Sequence, residues 1–247
     1  MSDIDIKTRA PRVPKERRSR DPERWIARPV EKSRRKAGLE FRPDPAFFAL
    51  ADRVVRTKRT LLGYDRLYVF WQAVRNLVDV PGAVAEIGSY RGGSAFFIAT
   101  AFRERLGEEV SMHVFDTFKG HPPAAITAHD TFHAAGHFSS TNVKKVAALL
   151  SEFQQLQIHK GDVSAELPRL AESMYRLVHI DTDLYQPTRV CLDYFTPRMS
   201  PRGVVVLDDY ASSKCPGVAR AVVEFLEQHD AYDVWDMRTE QLLLVKR

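Results

Sequence analysis

Asp183, Asp208 and Asp209 stand where two apolar runs end. Leu177-Val178-His179-Ile180 leads into Asp181-Thr182-Asp183, and Gly203-Val204-Val205-Val206-Leu207 leads into Asp208-Asp209-Tyr210. Short apolar runs suit strands buried on both faces of a parallel sheet. Open α/β sheets bind ligands beyond the carboxyl ends of their strands, so two adjacent strands would deliver Asp183, Asp208 and Asp209 to one rim. Carboxylates crowded together repel unless they are protonated or share a cation, and an all-oxygen donor set selects a hard ion such as Mg²⁺, Mn²⁺ or Ca²⁺. Any one of these aspartates reads as readily as a cap on the next helix or turn. The set is read as a metal site, with Mg²⁺ the expected ion. Asp183 is also a candidate general base, because a metal-bound carboxylate lies within reach of a hydroxyl held by the same metal.

A second constellation is Glu86-Ile87-Gly88-Ser89-Tyr90-Arg91-Gly92-Gly93-Ser94. Glycines such as Gly88 and Gly92 let a ligand approach the backbone and let the chain turn tightly into a helix. The spacing is G-x-x-x-G-G, not the G-x-G-x-x-G of a dinucleotide site, which argues against a nicotinamide-dependent oxidoreductase. Glu86 would repel a pyrophosphate and would suit a cofactor carrying an ammonium group, such as S-adenosylmethionine. Asp116 ends the next apolar run, where an acid accepts hydrogen bonds from ribose hydroxyls. Asp162 ends the third and is placed to meet an adenine amino group. With Asp181, four successive strands end in acids. Arg91 is read as a partner for the cofactor carboxylate or for a neighbouring acid.

Residues 117–140 carry His121, His129, His133 and His137 with Asp130. Clustered histidines invite zinc, but Gly136 interrupts them, no strong helix spaces them and no cysteine is near. A long loop in a compact domain tends to be functional, so the expectation is a lid over the acceptor, with His133 or His137 as base or hydrogen-bond partner. His179, inside a strand, is expected to be a satisfied core residue.

The elements that must position these residues alternate. Helices are expected at 46–60 and 64–80, the second with Leu67, Phe70, Trp71, Val74, Leu77 and Val78 on one face. Strands follow at 83–87, 110–115, 156–159, 177–180 and 203–207, and helices at 92–106, 142–152, 164–175, from Pro187, and from Pro216. The chain closes with a hairpin of strands at 232–237 and 241–245. The expected fold is α/β: a doubly wound, mostly parallel, seven-stranded sheet with N-terminal helices.

The 247 residues, 44% of them hydrophobic, suffice for one such domain. The net charge of +5 is unevenly placed: residues 1–45 carry +6 and the rest −1. The expected organisation is a basic, poorly ordered arm over 1–45 and a folded domain over 46–247. A nucleic-acid enzyme would carry its basic patch on the folded domain, so nucleic acid is not an expected partner. Cys191 and Cys215 make no disulfide framework. No apolar run reaches the roughly 18 residues of a membrane span, and the N-terminus lacks a signal-peptide layout. A cytoplasmic protein is expected.

The segments Glu86-Ile87-Gly88-Ser89-Tyr90-Arg91-Gly92-Gly93, Phe115-Asp116-Thr117-Phe118-Lys119-Gly120, Lys160-Gly161-Asp162, His179 to Tyr185 and Leu207-Asp208-Asp209-Tyr210 together resemble the macrocin O-methyltransferase family. The resemblance runs over roughly residues 64–245, in the family's order, and leaves out the basic arm. It implies a class I, Rossmann-like fold and metal-dependent transfer of a methyl group from S-adenosylmethionine to a sugar hydroxyl. It further implies that Asp183, Asp208 and Asp209 hold Mg²⁺ and that Glu86, Ser89, Asp116, Thr117, Phe118 and Asp162 line the cofactor site; family members are often oligomers, so the resemblance allows a homo-oligomer without fixing the oligomeric state. The acceptor is expected to be a small hydroxylated molecule. A catechol or other phenol also offers two adjacent oxygens to Mg²⁺, and is the second reading. A non-enzymatic module binding nucleic acid through its arm is the third, with nothing in it to explain the acidic strand ends.

Overall fold

The computed structural model describes residues 44–170 and 173–247; the basic arm up to residue 43 lies outside the described residues. Seven strands form one sheet in the order β3-β2-β1-β4-β5-β7-β6. They are β1 (Ala83–Ile87), β2 (Met112–Asp116), β3 (Leu156–Lys160), β4 (Tyr175–Ile180), β5 (Met199–Leu207), β6 (Tyr232–Asp236) and β7 (Leu242–Lys246). The first five run parallel, and β7 is antiparallel to both β5 and β6. The expected doubly wound, mostly parallel sheet is therefore present.

The order of strands reverses between β1 and β4, and that switch point is where such sheets open a crevice. The registers keep the strand ends level. Ile87 of β1 pairs with Ile180 of β4, and Ile180 pairs with Leu207 of β5. The residues that follow, 88, 181 and 208, leave the sheet side by side.

Helices cover both faces: α1 (Pro45–Val55), α2 (Tyr64–Asn76), α3 (Gly93–Leu106), α4 (Val143–Leu150), α5 (Val163–Glu166), α6 (Tyr185–Phe195) and α7 (Pro216–Leu226). Asp44 caps α1 by accepting a hydrogen bond from the Ala46 amide. In α2, Leu67, Phe70, Trp71, Val74 and Leu77 are buried as the 3.6-residue period requires, whereas Val78 is exposed, because the helix ends at Asn76 and the period no longer holds. On the other face, Tyr175, Val178 and Ile180 of β4 pack with Leu192 and Phe195 of α6 and Val222 and Phe225 of α7. Each such side chain contributes roughly 1.5–3 kcal/mol by leaving water.

Several boundaries differ from expectation. The first helix stops at Val55, and Lys58 turns the chain with a φ of 55°. The helix expected over 164–175 is reduced to α5 and a 3₁₀ turn, Leu167–Arg169, since Pro168 supplies no N–H to continue it. Tyr175 begins β4, fully buried with its ring 4.9 Å from that of Phe195. β5 starts four residues early, its pairing with β4 shifting register between Tyr175 and Leu177. α6 starts two residues before Pro187. No helix among the described residues is long and apolar enough to cross a membrane.

Candidate active site

A cavity of about 300 Å³ opens at the switch point. Gly88, Ser89, Asp116, Thr117 and Asp162 line one side. Asp181, Asp183, Asp208 and Asp209 line the other. His121, Pro122, Ala125 and Phe138 of the 117–140 loop border it, with Leu61, Leu62 and Arg66 from the start of α2 and the turn before it. The loop expected to act as a lid therefore borders the cavity.

On the first side the backbone does much of the shaping. Gly88 has a φ of 92°, and a Cβ there would lie 1.8 Å from the Asp181 carbonyl oxygen. Only glycine permits so close an approach of β1 to the end of β4. The Asp116 carboxylate accepts hydrogen bonds from the amides of Tyr90 (2.7 Å) and Phe118 (2.6 Å). Burial raises its pKa, and these bonds oppose the rise. Asp162 caps α5 by accepting from the Ser164 amide at 2.8 Å.

On the second side, Asp181, Asp183 and Asp209 each offer an oxygen within 4.8 Å of the others, and Asp181 and Asp208 form a like group with His179. The expected Asp183, Asp208 and Asp209 all line the cavity, but the three that converge within 4.8 Å are Asp181, Asp183 and Asp209, while Asp208 groups with Asp181 and His179. Asp183 and Asp209 have φ of 60° and 57°, a left-handed conformation that aspartate tolerates better than most residues. Burial, and then the like charges of Asp209 and Asp208, push the Asp183 carboxyl up to about 8. Burial raises Asp208 to about 6, with Arg66 opposing. Burial and its three neighbours hold Asp181 well above the usual carboxylate range.

Among the described residues, Arg66 is the cation that answers these acids. Arg66 Nη1 donates to Asp208 Oδ2 and to Asp209 Oδ1 (2.9 Å), and Nη2 donates to Glu240 Oε2 (2.8 Å). A single guanidinium against four aspartates and Glu240 leaves an excess of negative charge. Asp208 Oδ1 is buried without a hydrogen-bond partner. Oxygen donors, excess charge and an orphaned carboxylate oxygen together fit a hard divalent cation.

Five expected site residues lie elsewhere. Glu86 is fully buried and does not line the cavity; its Oε1 sits 3.0 Å from His179 Nδ1. Successive strand residues face opposite ways, and Glu86 and His179 share the face on which Phe70 of α2 packs edge-on against the imidazole, 4.7 Å away. His179 is a core residue as expected, yet its Nε2 has no hydrogen-bond partner. Gly92 is a packing glycine: it precedes α3 with a φ of 77°, and a Cβ there would press to 2.9 Å from Val146. The Phe118 ring is buried outside the cavity lining, and its contribution is the amide that holds Asp116. His133 stands behind the lining, its Nδ1 3.2 Å from His121 Nε2 and its Nε2 3.1 Å from the Lys214 carbonyl. His137 is exposed; its Nδ1 accepts from the Ala134 amide at 3.3 Å and its carbonyl accepts from the His121 amide.

The histidine that does line the cavity is His121, with Nε2 3.7 Å from Asp183 Oδ2. Burial lowers its pKa to about 4, so it is neutral at pH 7. Arg91 is not paired with a neighbouring acid: its guanidinium donates to the Ser140 carbonyl and hydroxyl at the end of the loop and to the Lys58 carbonyl. Asp130, buried, anchors the same loop to α6 by accepting from the Tyr185 amide at 2.8 Å. Sequence reading missed Arg66, whose partners lie more than 140 residues away, and passed over His121 among its three neighbours.

Comparison with known proteins gives a consistent result. The model of the macrocin O-methyltransferase family matches residues 5–236. It therefore takes in most of the basic arm that the motifs left out. The 8-demethyl-8-(2,3-dimethoxy-alpha-L-rhamnosyl)-tetracenomycin-C 4'-O-methyltransferase of Streptomyces olivaceus is 28% identical over 167 residues, which are 63% of this chain. The match spans 64% of that relative's own length. The mycinamicin III 3''-O-methyltransferase of Micromonospora griseorubida is 25% identical over 189 residues, 70% of this chain and 72% of that protein. Among solved structures, the O-methyltransferase NovP superposes with a TM-score of 0.67 at 23% identity, over 76% of this chain and 82% of that one. That likeness speaks to the fold.

Proposed function

The chain belongs to the macrocin O-methyltransferase family, and from that premise we propose that it moves a methyl group from S-adenosylmethionine to a hydroxyl of a sugar or a glycosylated natural product. The observation that carries this reading is the two-sided cavity, with Asp116, Asp162 and the Gly88 turn on one wall and a carboxylate cluster on the other. The names of two relatives, which give a rhamnosyl tetracenomycin and mycinamicin III as the molecules methylated, support a sugar acceptor.

In the proposed mechanism, Asp116 accepts from the ribose hydroxyls, and Asp162 from the adenine amino group. Gly88 leaves the room in which the methionine part lies against the backbone. The acceptor hydroxyl meets the carboxylate wall. Asp183 takes its proton as the oxygen attacks the methyl carbon; the C–O bond forms, the C–S bond breaks, and the sulfonium leaves as a neutral thioether. Asp183 is protonated at neutral pH when it stands alone with its neighbours, so it serves as base once that negative field is relieved. A divalent cation held by Asp183 and Asp209, with Asp181 or Asp208, would relieve the field and make a coordinated hydroxyl more acidic. His121, neutral and beside Asp183, orients that carboxylate. Arg66 fixes Asp208 and Asp209. The loop, pinned by Asp130 and Arg91, keeps water from the transferring group.

The test is calorimetric titration of S-adenosylmethionine and S-adenosylhomocysteine, with and without Mg²⁺, on the native chain and on Asp208→Asn. The expected outcome is micromolar binding of both ligands by both proteins, with turnover on a glycoside acceptor reduced at least about a hundredfold in the variant. Absence of cofactor binding removes the methyltransferase reading. Unchanged turnover in the variant removes Asp208 from the cation's ligands, and unchanged turnover in Asp209→Asn as well removes the metal.

A further inference from the structure

We propose that His133, Cys215 and Asp183 form a second cation site, suited to a borderline metal of the Zn²⁺ kind, at the edge of the cavity. Cys215 Sγ lies 3.5 Å from His133 Nε2 and 3.7 Å from Asp183 Oδ1, and one ligand atom from each of the three falls within 4.8 Å of the others. A Zn–S bond of about 2.3 Å and a Zn–N bond of about 2.0 Å at a tetrahedral angle hold sulfur and nitrogen about 3.5 Å apart. A Zn–O bond of similar length puts sulfur and oxygen at much the same separation. These two edges therefore have the lengths that tetrahedral zinc requires, and the third, between His133 and Asp183, lies within 4.8 Å. Three protein ligands leave the fourth position open.

The donor set separates this site from the all-oxygen one. A thiolate and an imidazole prefer Zn²⁺ or Co²⁺ and have little use for Mg²⁺. The surroundings supply the second feature of a metal-binding histidine. When Nε2 holds the ion, the ring proton moves to Nδ1, which faces His121 Nε2 at 3.2 Å. A neutral His121 can accept that hydrogen bond, in the place that a carboxylate, backbone carbonyl or water takes beside other metal-bound histidines. The ion replaces the contact of His133 Nε2 with the Lys214 carbonyl, and the thiol proton is released to solvent. Zinc was set aside on sequence because no cysteine stood near the loop. The fold brings one there from 82 positions away, at the start of α7.

Binding here would tie the loop to α7 and draw Asp183 away from Asp209. Resting on the function proposed above, the Zn²⁺-bound form is then the inactive one. The site itself does not depend on that reading, and its test does not use turnover.

The test is titration of the full chain with Co²⁺, read by the thiolate-to-cobalt charge-transfer absorption. The expected result is one such band of a single thiolate at micromolar Co²⁺, displaced by Zn²⁺ and not by Mg²⁺. Cys215→Ser should abolish the band. His133→Ala, a change in a half-exposed loop residue, should weaken binding by about tenfold or more. Cys191→Ser should leave both unaltered. A band that persists in Cys215→Ser, Co²⁺ binding with no thiolate band, or no binding at micromolar metal would each overturn the proposal.

Discussion

At the scale of residues, the carboxylates at the strand ends are held close together. A carboxyl whose folded pKa exceeds its unfolded value, roughly 4, binds more protons when folded. Its contribution to stability is therefore lost as pH rises toward the folded value. For Asp208 and Asp183 those values are about 6 and about 8. The metal-free protein should lose thermal stability steadily between about pH 5 and pH 8. Under the proposed function, Mg²⁺ takes the place of those protons, so it should restore much more of the unfolding midpoint at the alkaline end than at the acid end. Differential scanning fluorimetry across that range checks both. Equal stabilisation by Mg²⁺ at the two ends would show that these carboxylates do not hold it. These residues were legible in sequence because acids ending apolar runs are a local pattern. Arg66 was not, because an arginine on the polar face of a helix looks like any solvated one until the sheet places Asp208 and Asp209 before it.

At the scale of elements, the site depends on how closely β1 may approach the end of β4. Gly88 and Gly136 both have positive φ, at 92° and 79°, but a Cβ at Gly88 would meet the Asp181 carbonyl, whereas at Gly136 nothing lies within 4 Å. Gly136→Ala should cost about 1 kcal/mol, from backbone strain alone. Gly88→Ala should cost about 2–3 kcal/mol more, because the strand ends must part, and should weaken S-adenosylhomocysteine binding. Urea unfolding of the two variants separates the terms; equal losses would remove the close-approach account. The strands and most helices were readable because period and punctuation are local signals. The boundaries at 175 and 199 were not. They come from a register shift between β4 and β5 and from Tyr175 packing on Phe195, which are choices between distant segments.

At the scale of the whole molecule, one crevice gathers Asp116, Asp162, Asp181, Asp183, Asp208 and Asp209 around Arg66. S-adenosylmethionine carries a sulfonium and S-adenosylhomocysteine does not. An acidic wall with a single guanidinium should therefore favour the former by Coulombic attraction in a partly enclosed site. Mg²⁺ would offset that field. The ratio of the two dissociation constants should thus favour S-adenosylmethionine most strongly without metal and shrink several-fold at saturating Mg²⁺. A ratio independent of Mg²⁺ would mean the cation and the sulfonium do not share one field.

The fold class, the acidic strand ends and the resemblance to a methyltransferase family follow from the sequence by itself, since each rests on residues adjacent in the chain or repeated at a fixed period. Tertiary structure alone decided that Glu86 faces His179 and not the cavity, that His121 and not His137 stands beside Asp183, and that Cys215 meets His133. The physical reason is common to all three. Which face of a strand is enclosed, and which loop atom reaches a given carboxylate, depends on packing between segments that the chain keeps tens of residues apart.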